Sequence, residues 1–388
     1  MKSESALVPA VAGRKSSTAA ARPFARWFSA LVLTSAVSAT TIEQTDVYVS
    51  GQDGYHTYRI PAVIHAKNGD LLAFAEGRKN GGGDAGDIDL LVKRSTDGGK
   101  TWSAQQVIWD DADNTCGNPC PVVDEATGTL FLFSTHNLGK DRETDIAAGT
   151  VRGSRSVWII TSADHGATWS KPRDVTSTTK DTSWTWYATG PGIGIQIKHG
   201  AHAGRLVIPC DYNYANPDPT QKALQGSHVI YSDDHGKSWQ IGGTMKPQMN
   251  ECQVAELFDD RGTLLMDMRS YRGLFARAQS TSTDGGVTWT TPVDVPALIE
   301  PVCQASILRA EAAKLLLFSN PAAKTRTNLT VRASADNAKT WKEVDVLHAG
   351  PAAYSSLVEL STTEAACLYE RGDKKPYEKI TFARFPVK

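Results

Sequence analysis

The stretch that decides the fold is Ser95-Thr-Asp97-Gly-Gly99-Lys-Thr101-Trp102, because four further copies of it follow along the chain. The copies begin at Ser162, Ser232, Ser282 and Ser334 and share the pattern S-x-D-x-G-x-T-W, with Ser for Thr in the third copy and Ala for Gly in the fifth. Each copy has turn chemistry: the Asp accepts hydrogen bonds from nearby amides, the Gly adopts positive φ, and the Trp fills the core below. We call each copy an Asp box and expect its Asp to form a turn, without a catalytic role.

The spacing of the boxes predicts the architecture. Their starts lie 67, 70, 50 and 52 residues apart, and periods of this size indicate a propeller or a solenoid. The segments between them, such as Leu71–Phe74 and Thr129–Phe133, are short and rich in β-branched and aromatic residues, and helical periodicity is almost absent. A strand runs directly into each box, as at Ile159–Ser162, so we place each box at a hairpin within one blade of an all-β propeller, a ring that leaves few sheet edges exposed.

Two irregularities carry further expectations. The fifth box has Ala338 where the others have Gly, and this predicts an altered turn. No sixth box precedes Arg59, so we expect strands from both ends of the chain to close the ring, with Lys379–Phe385 pairing beside the N-terminal segment.

The composition is that of an ordinary globular protein. The chain has 388 residues, of which 40% are hydrophobic and 21% charged, and its formal net charge is −1. No Pro- or Ser-rich linker appears after about residue 45, so we assign residues 46–388 to a single large propeller domain. Lys and Arg are spread along the chain without a basic run, and we therefore expect no nucleic-acid partner.

Residues 1–39 have the pattern of an export signal. The basic residues Arg14, Lys15, Arg22 and Arg26 precede an apolar run, Trp27–Ala39, that ends in small residues. This pattern predicts a secretory signal cleaved near Ala39 and a secreted or periplasmic mature protein. A disordered tail and an uncleaved anchor are the alternatives, although thirteen residues are few for a bilayer span, so we expect no stable membrane span in the mature chain.

The six cysteines do not form the pattern of a dense disulfide scaffold. Cys210, Cys252 and Cys367 lie in apolar, strand-like runs, which favours buried free thiols. Cys116 and Cys120 leave open a small disulfide loop. No His or Cys pair with ligand spacing accompanies them, so we expect no metal site.

Candidate functional residues must come from outside the boxes, since a site needs residues that differ from blade to blade. The non-repeating stretches include Tyr58-Arg59-Ile60-Pro61, Phe74-Ala-Glu76-Gly-Arg78 and a glycine-rich loop, Asn80–Gly86, that contains Asp84. Asp84 alone is most simply a solvated loop residue. Arg59, Arg269 and Arg326 fall in separate blades, each beside an apolar strand, and are harder to explain as surface residues.

With the five Asp boxes, several of these stretches resemble those of exo-α-sialidases, both mammalian and bacterial. The stretches are Tyr58–Pro61, Phe74–Arg78, Asn118–Val122, Gly190–Gly192 and Glu251–Glu256. The resemblance runs from about Val47 to the C-terminus. It implies a six-bladed β-propeller with the site at its centre.

The resemblance implies that Arg59, Arg269 and Arg326 clamp the carboxylate of a sialic acid, with Glu370 holding Arg59 in place. Planar guanidinium groups bind carboxylates bidentately, and each hydrogen bond to a charged partner contributes roughly 1.5–3 kcal/mol. Three clustered cations also need nearby carboxylates as structural partners.

The resemblance further implies that Tyr354 is the nucleophile, with Glu251 as its general base. A neutral phenol avoids repulsion by the substrate carboxylate, and sialidases with a Tyr nucleophile are known exceptions among glycosidases. A phenol with a pKa near 10 needs a base in contact. Glu256 is an alternative base, because it lies close to Glu251 in the sequence.

Asp84 is implied as the acid/base on a mobile loop, with Asp87 and Asp89 as alternatives in the same loop. Its pKa has to rise when substrate buries it, which predicts an acidic pH optimum. Arg78 and the strand that begins at Asn118 are implied to line the glycerol and N-acyl regions.

These implications predict a retaining hydrolase of sialylated glycoconjugates that needs no cofactor. A trans-sialidase, an intramolecular trans-sialidase, a hydrolase of deaminated sialic acid and a non-catalytic glycan-binding propeller remain alternatives. Of the tryptophans outside the boxes, Trp184 and Trp186, with the neighbouring Tyr187, are the aromatic residues expected near a ligand.

Overall fold

The computed structural model describes residue 13 and residues 42–151, 153–218 and 220–387. The first strand is β1 (Glu43–Val49), and the first blade contains β2 (Thr57–His65), β3 (Leu71–Arg78), β4 (Ile88–Ser95) and β5 (Gln106–Trp109). The second contains β6 (Thr115–Val123), β7 (Leu130–Asn137), helix α1 (Glu143–Ala147), β8 (Ser156–Ser162) and β9 (Arg173–Asp174). After helix α2 (Thr176–Thr179), the third contains β10 (Trp184–Thr189), β11 (Ile195–Gln196), β12 (Leu206–Tyr214), β13 (Leu224–Ser232) and β14 (Gln240–Met245).

The remaining blades repeat the same antiparallel order. The fourth contains β15 (Met249–Glu256), β16 (Leu264–Ser270), β17 (Ala276–Ser282) and β18 (Val293–Ile299). The fifth contains β19 (Ser306–Ala310), β20 (Leu315–Pro321), β21 (Thr327–Ser334) and the first half of β22 (Lys342–Glu359). The second half of β22 begins the sixth blade, which continues with β23 (Glu364–Arg371) and β24 (Lys379–Pro386) and ends on β1.

The ends of the described domain close the ring. β1 pairs antiparallel with β24, so that Glu43 lies opposite Arg384 and Val49 lies opposite Lys379. The prediction of a six-bladed all-β propeller closed by strands from both ends is therefore confirmed. In the part of the chain described here, no helix is long and apolar enough to span a membrane. The predicted export signal, with its cleavage near Ala39, falls outside the described residues.

Each Asp box joins the last two strands of its blade, which confirms the predicted hairpin within a blade. In the first box, the Asp97 carboxylate accepts the Thr101 N–H at 3.0 Å and the Thr101 hydroxyl at 2.6 Å. The Ser95 hydroxyl accepts the Gly99 N–H at 2.8 Å. These contacts satisfy the turn internally, so the Asp residues have a structural role.

The expectation of an altered turn at Ala338 is wrong. The Ala338 N–H donates to the Ser334 hydroxyl at 2.9 Å, and Asp336 holds Thr340 with the same two contacts as in the other boxes. Ala338 takes a left-handed φ of 65°, close to the 82° of Gly166 in the second box. The hydrogen bonds of the box therefore hold an alanine in a conformation that costs an L-residue roughly 1–2 kcal/mol.

The box tryptophans connect neighbouring blades. Trp239, on the third blade, packs edge-on against Phe133 of the second blade, with ring centroids 4.6 Å apart. Trp102, on the first blade, meets Phe382 of the sixth blade at 5.3 Å. The hydrophobic core therefore lies between the blades, and each box contributes to one of these layers.

All six cysteines are free and buried, which excludes the small disulfide loop between Cys116 and Cys120. The strand β6 is irregular between Gly117 and Cys120, and the two thiols enter different core clusters. Along an extended strand, four residues span about 13 Å, whereas a disulfide needs Cα atoms within about 7 Å of each other.

Candidate active site

The innermost strands of five blades are bulged at the same end of the propeller. The shifts in register fall between Arg59 and Ala62, Gly117 and Cys120, Trp184 and Tyr187, Met249 and Cys252, and Ala352 and Ser355. A bulge bends its strand and redirects side chains. The bulged segments carry Arg59, Asn118, Trp186, Glu251 and Tyr354, and all five line one cavity of about 310 Å³.

This cavity gathers most of the residues that the sequence singled out. Eight of the nine predicted site residues line it: Arg59, Arg78, Asp84, Asn118, Glu251, Arg269, Arg326 and Tyr354. The ninth, Glu370, lies directly behind the wall and is fully buried. The structure thus brings together residues from five blades that are up to 311 positions apart in the sequence.

The bulges explain why proline follows two of these positions. Ile60 has a left-handed φ of 59°, and its N–H donates to Glu370 Oε1 at 2.9 Å. Asn118 has a φ of 54°, and its N–H donates to Glu76 Oε1 at 2.8 Å. The next residue in each case is a proline, which has no N–H to leave unpaired at the bend. A buried carboxylate and a proline together satisfy the backbone at each bulge.

Glu370 connects Arg59 to the strand that carries Tyr354. Its carboxylate accepts Arg59 Nε at 3.0 Å and Arg59 Nη2 at 3.2 Å, in a bidentate pair. Oε2 also accepts the Tyr354 N–H at 3.1 Å. One buried group therefore fixes the positions of an arginine and a tyrosine from adjacent blades.

The Tyr354 hydroxyl donates to Glu251 Oε1, and the other oxygen of Glu251 accepts Arg269 Nη1 at 2.7 Å. Burial, followed by the nearby charge of Glu251, raises the pKa of Tyr354 well above its usual value of 10, although Arg269 and Arg59 oppose this. The phenol is therefore neutral and bonded to a carboxylate that can take its proton.

None of the three alternative carboxylates to Glu251 and Asp84 lines the cavity. Glu256 lies toward the other end of β15, where it accepts the Lys198 N–H at 2.7 Å and the His199 N–H at 3.1 Å. Asp87 and Asp89 pair with Lys79 at 3.0 and 3.2 Å, at the base of the glycine-rich loop.

The three arginines surround the Tyr354 side chain. The Cζ atoms of Arg59 and Arg326 lie 4.8 and 5.5 Å from the centre of its ring, and Arg269 Nη1 lies 3.4 Å from its hydroxyl. Arg59 and Arg269 each pair with a carboxylate, whereas Arg326 bonds to the Tyr377 hydroxyl and has no carboxylate partner among the described residues. The site therefore retains positive charge that favours an anionic ligand.

Asp84 lies at the mouth of the cavity with its side chain half exposed. Its Oδ1 lies 2.8 Å from Arg78 Nη1 and 3.6 Å from Arg59 Nη1. Partial burial acts to raise the pKa of Asp84, but these two guanidinium groups outweigh it and hold the pKa below its ordinary value of 3.8. Without a ligand, Asp84 is ionised near neutral pH.

The cavity also contains residues that the sequence reasoning missed: Glu143, Arg155, Asp211, Asn250, Tyr271 and Tyr377. Asp211 accepts Asn250 Nδ2 at 2.7 Å, and its burial raises its pKa well above the ordinary value. Arg155 stacks 3.9 Å above the ring of Trp186, and burial lowers its pKa. A lone carboxylate directly after the apolar run Leu206–Cys210 was an available signal for Asp211.

Of the aromatic residues expected near a ligand, only Trp186 lines the cavity. Trp184 and Tyr187 pack instead in the hydrophobic core between the second and third blades. In the part of the chain that the structure covers, no group of three or more His, Cys, Asp or Glu side chains is arranged to hold a metal ion.

Comparison with known proteins places this architecture in a family. Residues 69–366 match the model of the BNR repeat-like domain. Sialidase-2 of Cricetulus griseus is 32% identical over 365 residues, which cover 87% of this chain and 94% of that protein. The chain belongs to the sialidase family.

Other relatives and solved structures are similar to this chain over different shares of their own length. The sialidase of Micromonospora viridifaciens is 35% identical over 363 residues, which cover 88% of this chain and 54% of that protein, so the chain spans about half the length of this relative. The solved structure of Hadza microbial sialidase Hz136 superimposes with a TM-score of 0.78 at 32% identity, covering 89% of this chain and 68% of that one. The intramolecular trans-sialidase from Ruminococcus gnavus has a TM-score of 0.73 at 20% identity, which shows the shared fold.

Proposed function

We propose that the protein is a retaining exo-α-sialidase that hydrolyses terminal α-linked sialic acids of glycoproteins, glycolipids or oligosaccharides. The observation that carries this proposal is the Tyr354–Glu251 pair beneath three guanidinium groups. A glycan-binding protein gains nothing from a buried phenol bonded to a carboxylate, whereas a hydrolase needs this nucleophile and base.

In the first step, Arg59, Arg269 and Arg326 bind the substrate carboxylate and place the anomeric carbon over the Tyr354 hydroxyl. The phenol oxygen attacks this carbon while Glu251 accepts the phenol proton. The bond from the anomeric carbon to the leaving oxygen breaks, and protonated Asp84 donates its proton to that oxygen. The guanidinium groups neutralise the substrate carboxylate, and the negative charge that develops on the phenol favours the cationic anomeric centre.

In the second step, water attacks the anomeric carbon of the tyrosyl intermediate and loses a proton to Asp84. The phenol oxygen leaves and recovers its proton from Glu251, which restores the resting protein. Two displacements at one carbon give net retention of configuration. Every step uses residues of this chain and water.

The experiment that tests this proposal is release of 4-methylumbelliferone from its α-sialoside between pH 4 and pH 8. We expect turnover with an acidic optimum and, by NMR, the α-anomer of free sialic acid as the first product. A folded chain without turnover would contradict the proposal. A 2,7-anhydro sugar, or transfer to an added acceptor, would instead identify one of the trans-sialidase alternatives.

We further propose that the protein is exported after cleavage near Ala39, which the basic residues and apolar run of its first 39 residues support. Expression of the whole chain, followed by fractionation and N-terminal sequencing, tests this. We expect a secreted or periplasmic product that begins near Thr40. An intact chain in the cytoplasm would contradict export without affecting the proposed activity.

A further inference from the structure

Arg78 is surrounded by its own loop. We call residues 79–87 the acid loop, because it carries Asp84. Arg78 Nη1 donates to the carbonyl oxygens of Gly82 at 2.7 Å and Gly83 at 2.9 Å. Nε and Nη2 donate to Glu76 Oε2 at 2.9 and 2.6 Å. A guanidinium has five N–H groups, so four are already engaged and at most one remains for a substrate.

The base and the tip of the acid loop are held differently. At the base, the Lys79 N–H donates to the Asp87 carbonyl at 3.0 Å, and the Thr115 hydroxyl donates to the Gly86 carbonyl at 2.9 Å. At the tip, Gly82 to Asp84, the hydrogen bonds found within the described residues come from Arg78. The three consecutive glycines before Asp84 supply no side chains that could order the tip themselves.

The same guanidinium approaches one oxygen of Asp84. Arg78 Nη1 lies 2.8 Å from Asp84 Oδ1, and Arg59 Nη1 lies 3.6 Å from the same oxygen. Oδ2 has no ion pair or hydrogen bond among the described residues. A protonated carboxyl group has one O–H donor and keeps acceptor capacity on its other oxygen. Because Oδ1 forms ion pairs with two guanidinium groups, the proton of the protonated carboxyl group belongs on Oδ2.

We propose that Arg78 is a positioning residue for the general acid: it holds the tip of the acid loop so that Asp84 Oδ2 delivers its proton to the leaving oxygen. This rests on the proposed function and deepens it, since Arg78 was expected to line the substrate cavity as a ligand. Arg78 is itself fixed by Glu76, which is buried and also holds the bulge at Asn118.

Leaving-group chemistry separates this role from substrate binding. Release of a sugar alkoxide needs a proton from the acid, whereas 4-methylumbelliferone leaves as a stabilised phenolate and needs little help. We compare Arg78→Met with the unchanged protein on sialyllactose and on the 4-methylumbelliferyl α-sialoside. General acid catalysis contributes about 10²–10⁴-fold, so we expect kcat/KM to fall about 100-fold or more on sialyllactose and less than about 10-fold on the aryl substrate.

Two matched variants sharpen the result. Arg326→Met removes a predicted carboxylate ligand and should lower kcat/KM on both substrates by a similar factor. Arg78→Lys keeps the charge without the planar fork, so it should resemble Arg78→Met if geometry is what matters. If Arg78→Met does not fold, Glu76→Gln takes its place, because it weakens the contacts that fix Arg78 without removing the guanidinium. We expect Glu76→Gln to lower kcat/KM more on sialyllactose than on the aryl substrate, by smaller factors than Arg78→Met.

Equal losses on the two substrates in folded Arg78→Met would overturn the proposal and assign Arg78 to substrate binding. Full rescue by Arg78→Lys would also overturn it, in favour of a purely electrostatic role. Failure of the proposed function looks different, because the unchanged protein would then turn over neither substrate.

Discussion

Glu370 accepts hydrogen bonds from the Arg59 side chain and from the backbone N–H of Tyr354, so the same buried carboxylate fixes two residues that line the cavity. With the Ile60 N–H, its two oxygens receive four donors. A glutamine at this position has a single oxygen, and its amide group would face two of these donors. The carboxylate cannot be replaced by its neutral isostere without leaving buried donors unpaired.

We therefore expect Glu370→Gln to lower both activity and stability. Breaking a buried ion pair lowers the free energy of unfolding by about 3–5 kcal/mol. We expect kcat/KM to fall at least about 100-fold, because Arg59 and Tyr354 are no longer held in position. Urea titration and steady-state kinetics measure the two effects. Glu364→Gln is the control, since Glu364 lies on the same strand in a partly exposed pair with Arg384 at 2.7 Å and should cost less than about 1 kcal/mol.

Tyr354→Phe should remove turnover and leave the fold intact. Phenylalanine keeps the ring between the guanidinium groups but has no oxygen to attack the anomeric carbon. We expect kcat to fall by about 10³-fold or more at an unchanged midpoint of thermal unfolding. Tyr377→Phe is the matched control, because it removes a hydroxyl that bonds to Arg326 and should lower kcat/KM by less than about 10-fold. Comparable activity in Tyr354→Phe would exclude Tyr354 as the nucleophile.

The pKa of Asp84 predicts how activity depends on pH. Because Arg78 and Arg59 hold that pKa below 3.8, the protonated form of free Asp84 becomes more abundant by about tenfold for each unit that pH falls toward it. We expect kcat/KM for sialyllactose to rise as the pH falls from 7 to 5, with a shallower rise for the aryl substrate. Parallel pH–rate curves measure this. Flat profiles for both substrates would show that Asp84 does not act as the acid.

Ala338→Gly should stabilise the protein. The left-handed conformation of Ala338 costs roughly 1–2 kcal/mol, and the greater freedom of glycine in the unfolded chain lowers the free energy of unfolding by about 0.5–1 kcal/mol. We therefore expect Ala338→Gly to raise the free energy of unfolding by about 0.5–1 kcal/mol. Gly286→Ala is the reverse control at the equivalent position of the fourth box and should destabilise the protein. Gly286 has a φ of 90°, and an added Cβ would lie 3.1 Å from Val229 Cγ2. Denaturant titration of both variants tests the prediction, and a destabilised Ala338→Gly would contradict it.

The six cysteine thiols should be unreactive in the folded protein. All six are buried, and burial raises the pKa of Cys120, Cys210 and Cys252 well above the ordinary value of 9. We expect Ellman's reagent to label none of them under native conditions and all six after unfolding in guanidinium. Activity should be the same with and without a reductant. Rapid labelling of a native thiol would show that the core opens locally.

The architecture was predictable because the Asp boxes report it five times in one sequence. Their turn chemistry is local, and the strands on either side of them follow from it. The predicted closure by Lys379–Phe385 also held, because a ring without a sixth box needs a partner for its last strand. The turn at Ala338 was predicted wrongly, since the hydrogen bonds of Ser334 and Asp336 outweigh the conformational preference of Ala338 itself.

The details of the site depended on information that no single stretch contains. The register shifts that point Arg59 and Tyr354 into the cavity arise from pairing between strands. Two of the partners of Arg78 are the backbone carbonyl oxygens of Gly82 and Gly83, which carry no sequence signal. Asp211 and Arg155 lie outside the stretches that carry the resemblance. Asp211, on the third blade, and Arg155, on the second, reach the cavity that Asn118 lines only through the packing of these two blades.

The pairing of β1 with β24 has a consequence for maturation. Glu43 and Arg384 meet across 341 positions, and their blade is the one that holds both Tyr354 and Glu370. Proteolytic trimming beyond Glu43 would strip β24 of its neighbour, expose a bare strand edge to other molecules and loosen the segment that carries the proposed nucleophile. We expect solubility and the proposed activity to be lost together, so the sheet limits where the proposed N-terminal cleavage can fall.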